Sequence, residues 1–158
     1  PLSLPQWFSG FCTTGIPSPQ YSLPAHPIQK RSINMPKSLY ERLGGYDAIA
    51  AVVNNLIPRL TADHQLGRFW AHRGEDGLQR EKQLLIDFLC NAAGGPMYYT
   101  GRDMTLTHRG MRISQSDWDR FKNHVKQTLE SFDLPDAERE DVLAFIQSTK
   151  GEIVETES

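Results

Sequence analysis

From Ser38 onward the apolar residues of this chain recur at the spacing of an α-helix, and no stretch competes with the two-residue alternation of a strand. That pattern leaves helix packed on helix. Ser38 with Glu41 three residues later reads as a capping box, and Gly44-Gly45 stops the turn carrying Leu39 and Leu43. A second helix is expected from about Asp47, its cap, with Ala48, Val52, Leu56 and Leu60 flanked by Ile49, Val53 and Ile57. Pro58 inside this run should kink or shorten it. Thr61 or Asp63 restarts a short piece bearing Leu66, Phe69 and Trp70, and residues 71–77 read as a polar loop. The next helix is expected from about Asp76 to Ala93, with Leu78, Leu85, Phe88, Leu89 and Ala92 on one face, ended by Gly94-Gly95-Pro96. Ser114 caps a long helix with Trp118, Phe121, Val125, Leu129 and Phe132 inward. After the turn and cap at Asp133-Leu134-Pro135-Asp136, a last helix carries Val142, Phe145, Ile146 and Ile153. The expectation is one all-α domain of about six helices over residues 35–158.

Residues 1–34 differ in composition. They hold six of the ten prolines and only two charges, Lys30 and Arg31, which argues for an extended arm and against a helix. Trp7, Phe8 and Phe11 are aromatics that could dock on the domain or on a second subunit. Met35 stands just before the helical pattern, so the segment reads either as a flexible proline-rich extension or as a non-native or overlong start. A crossing arm would make a homodimer plausible; the expectation is a monomer or a homodimer.

With 158 residues the chain suffices for one domain. A net charge of −2 gives no basic footprint for nucleic acid or a membrane surface. No run of 18 apolar residues could span a bilayer, and the N-terminus shows no secretory pattern. The two cysteines, Cys12 and Cys90, include no Cys-x-x-Cys-His, so covalent haem attachment is not expected. Cys90 reads as a buried free thiol, and the expectation is a reducing cytoplasm.

The chemistry concentrates around His108. It lies between Gly101 and Gly110 in a frame of Met104, Leu106, Met111 and Ile113. Imidazole is the commonest side-chain metal ligand. A lone histidine among apolar residues suits a large flat apolar cofactor better than a bare ion, which needs three or four ligands. A lone histidine on an apolar face can also be an ordinary core residue. The five histidines, His26, His64, His72, His108 and His124, form no H-x-x-x-H pair, and no Gly-x-Ser-x-Gly elbow stands out. Gly94-Gly95 follows a helix instead of opening one, so it is no phosphate loop.

Four motifs together carry a resemblance: Leu39-Tyr40-x-x-Leu43-Gly44-Gly45; Ala62-Asp63-x-x-Leu66-x-x-Phe69-Trp70; Gly94-Gly95-Pro96; and Tyr99-Thr100-Gly101-x-x-Met104-x-x-x-His108-x-Gly110. Over about residues 38–150 the chain resembles the truncated haemoglobins, and among them group I. The resemblance implies a two-over-two helical sandwich holding one haem b, with His108 matching the proximal iron ligand. Trp70 matches an aromatic that packs on the haem. Tyr99, Thr100 and Met104 match positions beside the porphyrin, and Ile113, Trp118 and Phe121 match proximal apolar contacts. Lys82, Arg73, Arg102 and Arg109 are candidate partners of the propionates. On the distal side the position that is commonly Tyr aligns with Ile57, and counting back from Gly-Gly-Pro aligns Glu81 and Leu85 with the positions facing iron. A slipped register would bring Gln79, Lys82 or Gln83 there instead. With Ile57 and Leu85 lining the pocket a gas ligand lacks a phenolic donor, so oxygen release and autoxidation should be faster than in Tyr-bearing relatives. His72 or Lys82 is a candidate internal sixth ligand.

The resemblance therefore implies reversible binding of a diatomic gas: oxygen, nitric oxide or carbon monoxide. A second reading is a haem enzyme, a nitric oxide dioxygenase or a peroxidase, which would need an external reductase. A third is a haem-free helical interaction module.

Overall fold

The computed structural model describes residues 36–156. The expectations for residues 1–34, for Cys12 and for Met35 lie outside the described residues. The elements are α1 (Leu39–Leu43), α2 (Gly45–Ala62), a 3-10 turn (Leu66–Phe69), α3 (Glu75–Ala92), α4 (Met104–His108), α5 (Gln115–Glu130), α6 (Asp136–Ser148) and α7 (Lys150–Ile153). Among the described residues there is no strand, only one isolated parallel bridge between Ser114 and Thr156. No helix among them is long and apolar enough to cross a membrane. Helix α2 packs on both α3 and α5, and α5 packs on α6, giving two helix pairs in a two-over-two sandwich. Val53, Leu60, Cys90 and Leu129 sit at its centre, each at most 2% exposed.

The local signals act as their chemistry dictates. Ser38 Oγ accepts from the Glu41 amide while the Glu41 carboxylate accepts from the Ser38 amide. Ser114 and Asp117 make the same reciprocal box at the start of α5. Asp63 Oδ1 accepts from the Gln65 and Leu66 amides and so starts the 3-10 turn.

Five boundaries differ from expectation. Helix α2 starts at Gly45, not Asp47, because Gly44 at φ 97° both ends α1 and opens α2. Pro58 does not shorten α2, which runs on to Ala62. Pro58 and Asn54, whose carbonyl loses its partner, are both exposed, so water can satisfy it. The loop after the 3-10 turn is shorter than expected because α3 already begins at Glu75, where Glu75 and Asp76 suit the positive helix end. Asp136 is the first residue of α6 and not its cap, since Pro135 takes that place. The last helix breaks at Thr149, whose hydroxyl donates to the Ile146 carbonyl, into α6 and α7.

The Gly94-Gly95 break also fixes how α1 docks. The Tyr40 amide donates to the Ala93 carbonyl at 2.8 Å, and a Cβ on Gly95 would lie 2.5 Å from the Tyr40 ring and 2.8 Å from the Cys90 carbonyl. Gly95→Ala is therefore expected to cost about 1–3 kcal/mol by overpacking against backbone that cannot yield. Urea unfolding of the variant checks this; an unchanged midpoint would contradict it.

Candidate functional site

The cavity between the helix pairs has a volume of about 220 Å³. Its wall is carbon almost throughout. Helix α2 contributes Leu56, Ile57 and Leu60, the 3-10 turn and its C-cap contribute Leu66, Phe69 and Trp70, and α3 contributes Leu85, Phe88 and Leu89. The spacing of the α3 set puts all three side chains on one face. Met104, His108, Met111 and Ile113 close one side, and Trp118 and Phe121 of α5 stand beside them. Phe145 and Ile146 of α6, Thr149, and Ile153 of α7 complete the wall.

Three polar residues line this cavity: His108, Asp117 and Thr149. The Thr149 hydroxyl is occupied by Ile146. Asp117, 1% exposed, accepts from Arg68 Nη2 and Gln65 Nε2, each at 2.7 Å, and from Ser114. Burial alone would raise its carboxyl, but the bonds from Arg68, Ser114 and Gln65 outweigh it and hold it well below the usual carboxylate range.

His108 differs. Asp103 caps the single turn of α4 by accepting from the Leu106 amide at 2.8 Å, and His108 ends that turn. Its Nδ1 lies 2.8 Å from the Met104 carbonyl one turn back. A carbonyl can only accept, so Nδ1 carries the proton and Nε2 keeps a free lone pair. Nε2 makes no hydrogen bond among the described residues. The site therefore offers one fixed imidazole lone pair on a wall whose other polar groups are the engaged Asp117 and Thr149 and the tryptophan indole N–H groups, that of Trp118 being buried without a partner among the described residues. That donor set fits a planar apolar group bearing a metal, because the group would bring its remaining ligands with it. It does not fit a bare ion: the described residues contain no cluster of three or more His, Cys, Asp or Glu placed to hold one.

The structure brings Trp70, Leu85, Met104, His108, Ile113, Trp118, Phe121 and Ile57 onto this wall and leaves four expected positions off it. Glu81 pairs with Arg73 at 2.6 Å, away from the cavity. Tyr99 donates to the Arg102 carbonyl at 2.8 Å and packs edge-on against Phe88, so it supports a wall residue instead of being one. A Cβ on Gly101 would lie 2.1 Å from the Tyr99 hydroxyl, which is why glycine follows there. Thr100 is exposed and Lys82 is half-buried, and neither lines the cavity. Gln83 bonds Tyr46 and Asp87 and does not line the cavity; of the two positions counted back from Gly-Gly-Pro, Leu85 lies on the wall and Glu81 does not. His72 is exposed and is not on the wall. Sequence reasoning did not assign Asp117, Thr149 or Ile153 to the site. Asp117 carried a legible signal, the Ser114 box, but nothing local marked its burial.

The loop after α4 is held by the C-terminal segment. The Gly110 and Arg112 amides each donate to one Glu155 carboxylate oxygen at 2.6 Å. Those two bonds hold the Glu155 carboxyl below its usual value.

The family model of bacterial-like globins matches residues 38–155. A group 1 truncated haemoglobin from Mycolicibacterium paratuberculosis is 31% identical over 123 residues, 78% of this chain and 88% of that protein. Another from Tetrahymena pyriformis is 28% identical over 122 residues, 77% of this chain and 98% of that one. The crystal structure of the Tetrahymena pyriformis truncated haemoglobin in its Fe(III) form superposes with a TM-score of 0.68 at 26% identity, covering 75% of this chain and 98% of that chain.

Asp117→Ala is expected to cost about 2–3 kcal/mol, because it removes the Asp117 half of the capping box on α5 and strands buried donors. The folded carboxyl is depressed, so its contribution is complete above the unfolded value of about 4 and is lost as pH falls through the folded one. Urea unfolding from neutral pH down through that range should show a flatter acid limb for Asp117→Asn than for the parent. Parallel limbs would contradict the assignment.

Proposed function

The chain belongs to the bacterial-like globins, alongside the group 1 truncated haemoglobins, and from that premise we propose that it binds diatomic gases at a haem b iron held by His108. The observation that carries this is the His108 imidazole, with Nδ1 committed to Met104 and Nε2 free on a side chain lining an apolar cavity. When bound, haem supplies an iron centre that takes oxygen, nitric oxide or carbon monoxide. The protein's own residues do the rest. The Met104 carbonyl fixes the tautomer of His108 and the orientation of its ring. Trp70, Met104, Ile113, Trp118 and Phe121 flank a flat apolar group and exclude water from it. Lys82, half-buried on α3 three residues before Leu85, is the cation we assign to a propionate, and Tyr99, with Thr100 next to it, props Phe88 against the wall.

Ile57 and Leu85 form the side expected to meet the gas, and neither can donate a hydrogen bond. Glu81 is drawn off to Arg73. This favours ligands that bind without a donor. Catalytic nitric oxide dioxygenation or peroxidase turnover would need an external reductase. The buried free thiol of Cys90 is in keeping with a reducing cytoplasm.

Hemin titration of the full chain, followed by absorption spectra in the ferric, ferrous and carbon monoxide states, tests the reading. A Soret band that shifts with carbon monoxide is expected; its absence would overturn the haem assignment. Ile57→Tyr restores a phenolic donor worth about 1.5–3 kcal/mol, so it should slow oxygen release about tenfold or more. An off-rate no slower than the parent's in rapid mixing would contradict the role given to Ile57.

A further inference from the structure

The loop that follows His108 has an awkward backbone. Gly110 lies at φ 83° and Arg112 at φ 52°, both left-handed, and Arg112 is the one described residue other than glycine with a positive φ. A residue with a side chain holds that conformation only when its surroundings impose it. The surroundings here are the C-terminal segment. Glu155 accepts the Gly110 amide on one oxygen and the Arg112 amide on the other, each at 2.6 Å. Amides curved around one carboxylate in this way form an anion nest. The grip is doubled: the Glu155 and Thr156 amides both donate to the Ile113 carbonyl, at 2.9 and 3.2 Å, and the Gln115 amide donates to the Thr156 carbonyl at 3.1 Å.

The same loop contains the carbonyl of His108, which accepts from the Met111 amide at 3.1 Å. Thus the clamp begins within three residues of the imidazole and ends where α5 begins. Helix α4 cannot supply such rigidity alone, since a single turn is too short to be stable by itself. Asp103 secures its beginning. Its end is secured by the loop, and the loop by Glu155.

We propose that Glu155 is a positioning residue for the iron ligand: by gripping the Gly110 and Arg112 amides it fixes the height and orientation at which His108 presents Nε2 to the cavity. This rests on the haem reading above. The role is distinct from that of the Met104 carbonyl, which sets the tautomer and ring direction within α4 but cannot hold α4 in place. It also gives the C-terminal segment, whose α7 packs against α4 and places Ile153 on the wall, a part in tuning the site from 47 residues downstream of the ligand.

The test uses the haem-loaded full chain as parent, Glu155→Ala and Glu155→Gln, the last retaining one acceptor oxygen. Three quantities are read: the ferrous iron–histidine stretching band by resonance Raman, the rate of haem transfer to excess apomyoglobin, and hydrogen exchange of the Gly110 and Arg112 amides. Glu155→Ala should shift and broaden the band, speed haem loss roughly tenfold and deprotect both amides, with Glu155→Gln in between. Deprotected amides beside an unmoved band and an unchanged rate would overturn the proposal, because the clamp would then hold the loop and not the ligand. Unchanged exchange would overturn it too. Should Glu155→Ala fail to fold, Glu155→Gln decides alone, and an unmoved band there is a refutation. A parent chain that takes up no haem overturns the haem reading and this proposal with it; a haem-loaded parent whose band ignores both substitutions overturns this proposal only.

Discussion

A five-residue helix cannot hold a histidine still, yet everything proposed for this protein depends on one imidazole standing at a fixed place. Isolated helices of this length are far below the limit of stability in water. The turn from Met104 to His108 is held from outside: Asp103 caps its start, the Met104 carbonyl locks the ring, and Glu155 grips the loop after it. Each of these is a hydrogen bond to backbone, which constrains direction more sharply than apolar packing can. The site is a rigid point assembled from a short and otherwise weak element.

Around that point the four long helices do the opposite work. They supply an undirected apolar wall, and a flat apolar group seated there removes surface from water at about 25 cal/mol per Å². Group and fold therefore stabilise one another by mass action. The buried charge in the vicinity, Asp117, is fully engaged by Arg68, Gln65 and Ser114, so it ties α5 to the 3-10 turn without competing for whatever enters the cavity. A similar knot joins Asp63 to Arg120 and His124, again between the 3-10 turn region and α5. Bonds from His124, the Leu66 amide and Arg120 hold the Asp63 carboxyl well below its usual range.

How much of this the sequence carries depends on the range of the interaction. The capping box at Ser38 and the cap at Ser114 act over three residues and are legible by eye. So is the α3 face with Leu85 inward, because the Gly94-Gly95-Pro96 stop gives a fixed point from which to count back. Ile57 stands where a phenolic residue is common, and its place on the wall follows from the periodicity of α2. The pattern misled where a distant partner decides. Glu81 lies one turn before Leu85, but Arg73 draws it away; Tyr99 turns its hydroxyl to the Arg102 carbonyl and meets Phe88 instead of the cavity. Glu155 left no trace in the sequence at all. An acidic residue near a polar end looks like solvated surface, and its partners, the amides of Gly110 and Arg112, have no side-chain signature.

The experiment to set against this picture is chemical rescue of His108→Gly. The variant is loaded with hemin and reduced under carbon monoxide, and its spectrum is recorded with and without imidazole in the buffer. If the side chain at 108 is the iron ligand, the substitution abolishes or markedly alters the parent's Soret band and added imidazole restores it. If His108→Gly gives the parent spectrum with no imidazole present, the iron is held elsewhere and the role assigned to His108 is wrong.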